Sequence, residues 1–118
     1  MIVRRAPEDS AGGYWTPVTG KIDRGETMQE TVVRECREEV GLTVECLDEI
    51  YRCPTHNGRF MLVWFRAKLV GDDRCLPAPD EVAEALWVTP QEALELAPMF
   101  PATRDYYQRC LHEAQGES

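Results

Sequence analysis

The sequence predicts a mixed α/β or α+β domain in which helices cover a β-sheet. Two helices carry capping signals at their starts, Thr27 with Glu30 and Thr89 with Glu92, and short apolar stretches alternate with them. The resulting element order is β-β-α-β-β-β-α-α, which favours a sheet layered with helices. The length of 118 residues predicts a single domain over residues 1–118.

Each element of the first half is predicted by its local pattern. A polar, glycine-bounded stretch predicts a loop before the first helix, and that helix has Thr27 as N-cap and Gly41 as its left-handed stop. The predicted series is a strand at Ile2-Val3, a loop over 7–13, a short strand over 14–18, a loop over 20–26, and a helix that ends at Val40.

The second half predicts three strands and two helices. The continuous apolar run 60–65 is too short for a comfortable helix and is interpreted as a buried central strand. Pro90 directly after Thr89 strengthens the start of the next helix. The predicted series is a strand over 43–52, the strand over 60–65, a loop over 71–80, a strand over 85–88, a helix from Thr89, and a last helix from 101 to about 113.

Composition and charge exclude several classes of protein. The net charge is −8, most of it after residue 71, and such a surface disfavours binding to nucleic acid or anionic lipid. No apolar run approaches a membrane span, and residues 1–5 are too short for a signal peptide. Five cysteines without a C-x-x-C pair suggest neither zinc nor a disulfide framework. We therefore expect a cytoplasmic protein with no nucleic-acid and no membrane partner.

The predicted first helix carries the chemically informative residues. Glu35, Glu38 and Glu39 lie together on one arc beside its apolar face. Like charges at this spacing repel, so the cluster is best explained by a hard divalent cation such as Mg²⁺. A solvated acidic face is the alternative. Glu26, placed to pair with Arg34, and the glycines that bound the segment favour a binding site.

The segment Gly20–Leu42 resembles the Nudix box, G-x5-E-x7-R-E-U-x-E-E-x-G-U, where U is a bulky aliphatic residue. Every fixed position is present, and the one departure is Cys36, a small hydrophobe at an aliphatic position. Residues 14–20 and 85–88 are similar to the segments before the box and at the last strand of that family. The resemblance implies a Nudix-type α/β/α sandwich with a mixed sheet.

The resemblance also implies an activity and a metal site. Nudix enzymes hydrolyse a diphosphate linkage in nucleoside diphosphate derivatives, with water attacking phosphorus and Mg²⁺ or Mn²⁺ assisting. By position, Glu38 and Glu39 would be the principal metal ligands, Glu35 a third carboxylate, and the Gly20 carbonyl would complete the site. Arg34 and Glu26 would pair to hold the loop against the helix.

The general base and the substrate contacts are left open among several residues. A box glutamate or an acid of a later loop can activate water, and we rank Glu81 above Glu84, with Asp80 third. Phosphate contacts are expected from Arg4 and Arg5, and less firmly from Lys21 and Arg24. Four aromatic residues are either core or a nucleobase-stacking surface: Trp15, Tyr51, Phe60 and Trp64.

Two departures from the family remain. A strand usually precedes the one ending in V-R-R, so the first strand is expected to be missing, and the exposed edge predicts a homodimer. The downstream marks of dinucleoside polyphosphate, ADP-ribose and NADH hydrolases are not matched, which favours a (d)NTP-type substrate by elimination. The alternatives are a catalytically silent nucleotide-binding or regulatory module, and a hydrolase of dinucleoside polyphosphates, ADP-ribose or nucleotide sugars.

Overall fold

The computed structural model describes residues 1–9, 11–55 and 57–116 and contains the elements in the predicted order. The predicted α+β class is confirmed, as five strands and three helices alternate along the chain as expected. The elements are β1 (Ile2–Arg5), β2 (Trp15–Thr16), α1 (Met28–Val40), β3 (Val44–Pro54), β4 (Met61–Leu69), β5 (Val82–Leu86), α2 (Pro90–Ala93) and α3 (Pro101–Gly116).

Helix α1 begins and ends where its capping residues predict. The Thr27 hydroxyl accepts from the Glu30 N–H at 3.1 Å, and the Glu30 carboxylate accepts from the Thr27 N–H at 2.9 Å. Gly41 has φ +69° and donates its N–H to the Arg37 carbonyl. These bonds satisfy backbone groups that the helix leaves free at both ends, and an N-cap alone contributes about 1 kcal/mol.

Strand β1 lies at the centre of a three-stranded sheet with the order β2-β1-β5. Its successive side chains alternate between two cores, as the pleat of a strand requires. Val3 packs with Val40 of α1, whereas Ile2 packs on the other side with Trp15 and Ala93 of α2. The sheet is therefore sandwiched between α1 and α2, which is the predicted layering.

The strand pairing differs from the predicted mixed sheet. The named strands of the described residues pair antiparallel in two separate sheets, and an isolated parallel bridge joins Trp15 of β2 to Met99, which lies outside these strands. Because β1 has a neighbour on each side, the exposed edge that predicted a homodimer does not lie at β1. The edges of this sheet are β2 and β5, and the homodimer stays a prediction.

The predicted strand over 60–65 corresponds to β4, but the prediction that it is buried and central is wrong. Strand β4 pairs with β3 in a two-stranded sheet, and the side chains of Phe60 and Met61 are 60% and 54% exposed. The apolar run has α3 as a partner instead, since the Trp64 ring stacks on Tyr106 at 4.2 Å between centroids. None of the helices in the described ranges is long and apolar enough to cross a membrane.

Strand β5 begins three residues earlier than predicted because the preceding loop is anchored to the end of α1. The Leu76 N–H donates to the Val40 carbonyl and the Ala78 N–H donates to the Glu39 carbonyl, both at 2.8 Å. These bonds satisfy carbonyls of the last helical turn and deliver the chain to β1 at Val82.

Candidate active site

Arg34 joins the loop before α1 to the acidic face of the helix. Its Nε and Nη2 donate to the two carboxylate oxygens of Glu26 at 2.7 and 3.0 Å, and Nη2 also donates to the Lys21 carbonyl. Its Nη1 donates to Glu35 and Glu38 at 2.7 and 3.0 Å. The hydrogen bonds from Arg34 lower the pKa of Glu26 to about 2. Glu26 therefore stays ionised and holds the loop on the helix.

Glu39 is buried at 2% exposure and is bound from two directions. One carboxylate oxygen accepts from the Arg5 guanidinium, and the other accepts from the Thr19 N–H at 3.2 Å. Arg5 also donates to Thr16 Oγ1 and to the Thr19 carbonyl. Burial raises the pKa of Glu39, although Arg5 acts in the opposite direction. The ion pair thus ties β1, the end of β2 and α1 together at the acidic cluster.

Gly20 lies directly against the Glu35 side chain. A Cβ built on Gly20 would overlap the Glu35 carboxylate, so any other residue here would require the Glu35 side chain to move. Burial raises the pKa of Glu35, while Arg34 lowers it and Glu38 and Glu81 raise it. The Gly20 backbone and the Glu35 side chain therefore share one small volume.

Glu81 lies within electrostatic reach of the acidic cluster. Burial is the main cause that raises the pKa of Glu35 and of Glu39, and the charge of Glu81 adds a smaller effect in the same direction. The Glu81 carbonyl accepts from the Ala6 N–H at 3.0 Å, next to the buried Arg5. Glu84 instead pairs in register with Arg4 further along β5, and Asp80 lies in the exposed turn before Glu81.

The predicted phosphate contacts divide into two groups. The prediction for Arg5 is corrected, because its guanidinium is 3% exposed and is bound by Glu39. Arg4 lies over the Trp15 ring at 5.9 Å, so its observed contact is with the core. Lys21 and Arg24 lie on the exposed loop beside the acidic cluster.

The carboxylates of the acidic cluster are the candidate ligands for a divalent cation. Within the described ranges, no three His, Cys, Asp or Glu side chains converge in a ready metal cage, and Arg5 and Arg34 lie against the carboxylates instead. The donors nonetheless fit a hard cation, since they are carboxylate oxygens, and one of them, Glu35, lies in a space beside Gly20 that a Cβ would fill. Glu38 is the most accessible of them, at 54% exposure.

The pair between Arg5 and Glu39 is not predicted by the sequence pattern. The two residues are 34 positions apart, and no local pattern relates them. A signal was present, because Arg5 follows the apolar Val3 by two residues and so shares its face of the strand, and a charge at a buried position requires a partner. The contact between Lys21 and Phe60 is not predicted either, since it joins two loops.

Comparison with known proteins identifies the family of this fold. The family model described as NUDIX domain matches residues 1–110. The chain is similar to the MutT protein from Methanosarcina mazei, with a TM-score of 0.76, 24% identity, and 96% of this chain and 83% of that chain covered. It also resembles an Ap4A hydrolase from C. elegans, with a TM-score of 0.73, 19% identity, and 99% and 86% covered. These likenesses show the fold.

Curated relatives extend the likeness to sequence. An NAD-capped RNA hydrolase, NudC, of Deinococcus radiodurans is 33% identical over 104 residues, which are 88% of this chain and 36% of that protein. The chain thus spans about a third of that relative's length. An RNA pyrophosphohydrolase of Erythrobacter litoralis is 31% identical, with 86% of this chain and 73% of that protein covered. The hydrolase names of these relatives agree with the predicted enzyme class. The chain therefore belongs to the NUDIX family, as its box predicts.

Proposed function

We propose that the protein hydrolyses a diphosphate linkage in a nucleoside diphosphate derivative with the help of Mg²⁺ or Mn²⁺. The observation that carries the proposal is the contact of the Glu35 carboxylate with the Gly20 backbone, with Glu38 joined to Glu35 through Arg34 and Glu39 bound to the Thr19 N–H. These carboxylates would hold the cation. When bound, it would neutralise charge on the diphosphate oxygens and lower the pKa of bound water.

The residues of the chain supply orientation and proton transfer. Arg34 and Glu26 fix the loop so that the Gly20 carbonyl stays beside α1. Water attacks phosphorus, the bridging P–O bond breaks, and the leaving phosphate takes the electron pair. We assign Glu81 to accept the proton of the attacking water, since its backbone is anchored between β1 and the end of α1.

The substrate is proposed at the level of a chemical class. The (d)NTP-type substrate stays a prediction, and the exposed Lys21 and Arg24 would contact its phosphates. One relative is named NAD-capped RNA hydrolase and another RNA pyrophosphohydrolase, so an RNA 5′ end is a second candidate substrate. The net charge of −8 favours the small nucleotide, because extended RNA would be repelled. The cytoplasmic location also stays a prediction.

A metal-dependent substrate screen tests the proposal. We would incubate the protein with nucleoside triphosphates, dinucleoside polyphosphates, ADP-ribose, nucleotide sugars and 5′-capped or triphosphorylated RNA, with Mg²⁺ or Mn²⁺. Loss of one carboxylate ligand is expected to cost several kcal/mol in the transition state, so Glu38→Gln should lower kcat/KM about a hundredfold or more. Chelation of the metal should abolish turnover and be reversed by excess Mg²⁺.

The matched control is Glu95→Gln, which removes an exposed carboxylate in the turn after α2. It should leave kcat/KM unchanged, and Mn²⁺ binding measured by electron paramagnetic resonance should weaken only in Glu38→Gln. No turnover by either protein would favour the silent nucleotide-binding module. Equal turnover by the wild type and Glu38→Gln would show that this carboxylate cluster does not carry the hydrolysis.

A further inference from the structure

The side chain of Phe60 is strongly exposed and meets Lys21, a residue of the loop before α1. It is 60% exposed at the end of the turn between β3 and β4. A lone exposed apolar residue needs no explanation, but this ring also lies under the Lys21 ammonium at 5.9 Å from its centroid. Lys21 belongs to the loop that Arg34 holds on the acidic face of α1.

The position of the ring is fixed by its backbone. The Phe60 N–H donates to Thr55 Oγ1 at 3.3 Å, and its carbonyl accepts from the Thr55 N–H at 2.8 Å. Inside the turn, Asn57 Oδ1 accepts from the Arg59 N–H at 3.0 Å and from the Thr55 hydroxyl at 2.6 Å. These bonds hold the Phe60 backbone against Thr55, and its ring is exposed to solvent.

A chain of contacts connects this ring to the acidic cluster. Arg34 donates to Glu35 and Glu38 through Nη1 and to the Lys21 carbonyl through Nη2. The Lys21 side chain then extends to the Phe60 ring. A ligand whose anionic end meets the acidic cluster and its cation would pass Lys21 and reach an exposed aromatic surface.

We propose that Phe60 is the specificity-determining platform on which the nucleobase of the substrate stacks. This inference rests on the proposed function, because it assigns the base end of that same nucleotide. A planar base gains stacking on an aromatic ring with little regard to its hydrogen-bonding edge. The site then selects nucleotides over base-free phosphates and tolerates several bases.

The test compares two ligands that differ only in the base and contain no diphosphate bond. We would measure the binding of AMP and of ribose 5-phosphate by isothermal titration calorimetry with Mg²⁺. The wild type should prefer AMP by about tenfold or more, as expected for one stacked base. Phe60→Ala and Phe60→Leu should reduce the preference to about twofold or less, and Phe60→Trp should retain it.

The matched control is Trp87→Ala, which removes the other strongly exposed aromatic side chain, 56% exposed after β5. It should leave the preference for AMP unchanged. The proposal is overturned if the wild type shows no preference, if Phe60→Ala keeps it, or if Trp87→Ala loses it equally. A preference that depends on Phe60 without hydrolysis in the screen would keep the platform and reject the hydrolase. Hydrolysis that depends on Glu38, without a preference for AMP that depends on Phe60, would keep the hydrolase and reject the platform.

Discussion

Two regions of this molecule are held together by different kinds of contact. In the box region, formed by β1, β2, β5 and α1, the ion pair of Arg5 and Glu39 is almost completely buried. In the hairpin region, formed by β3, β4 and α3, the Arg66–Asp48 pair is exposed at 64% and 54%, and aromatic rings supply the packing. An arginine–carboxylate pair is therefore expected to contribute differently to the free energy of unfolding in the two regions.

The difference follows from solvent. A buried charge that loses its partner cannot be rehydrated, whereas an exposed pair exchanges one partner for water at little cost. The box region consequently holds its carboxylates in fixed positions, which suits a site that must bind a cation and orient water. The hairpin region is free to present exposed apolar side chains such as Phe60.

The largest expected effect comes from breaking the buried pair. Arg5→Met removes the guanidinium and leaves the Glu39 carboxylate buried without it, so the free energy of unfolding should fall by about 3–5 kcal/mol. Urea unfolding followed by circular dichroism measures this. The control Arg66→Met should change the stability by less than about 1 kcal/mol.

The double variant Arg5→Met/Glu39→Gln sharpens the interpretation. Because it removes the orphaned charge, it should be more stable than Arg5→Met alone, and the interaction energy of the cycle measures the coupling. Equal losses in Arg5→Met and Arg66→Met would show that the contrast between the two regions is wrong.

The next effect concerns Tyr107, which lies where the two regions meet. It packs against the core of Ile2, Trp15 and Ala93, and its ring contacts Trp64 of β4. Burial, with the nearby Cys110 adding to it, raises the pKa of Tyr107 to about 12, whereas an unfolded tyrosine has a pKa of about 10. The folded state therefore favours the neutral phenol.

Because the pKa of Tyr107 is higher in the folded than in the unfolded state, the protein should lose stability at alkaline pH. The contribution is fully present below about pH 10 and is lost as the pH rises through about 12, with a magnitude on the order of 2 kcal/mol. Urea unfolding at about pH 8 and about pH 11 should show about half of this loss, because pH 11 lies midway between the two pKa values. Burial raises the pKa of Tyr106 as well, so Tyr107→Phe should remove only part of the loss. An unchanged pH dependence in Tyr107→Phe would contradict the assignment.

The sequence could predict what local chemistry decides. Thr27 and Gly41 fix the ends of α1 through bonds within a few residues, and the box spacing identifies the family and the acidic face. The strand over 60–65 was misjudged because an apolar run does not reveal whether a second strand or a helix covers it. The Arg5–Glu39 pair depends on tertiary proximity, which a single sequence does not contain.

The smallest effect compares one glycine from each region. Gly41 after α1 and Gly58 in the hairpin turn have φ of +69° and +70°, so alanine should cost about 1–2 kcal/mol at either position from the left-handed backbone alone. A Cβ at Gly41 would also meet the Leu76 Cβ at 3.0 Å, whereas a Cβ at Gly58 would point into open space. Gly41→Ala should therefore lower the urea midpoint more than Gly58→Ala. If Gly58→Ala proves the costlier variant, the hairpin turn is packed more tightly than the box, and the contrast between the regions fails at the backbone.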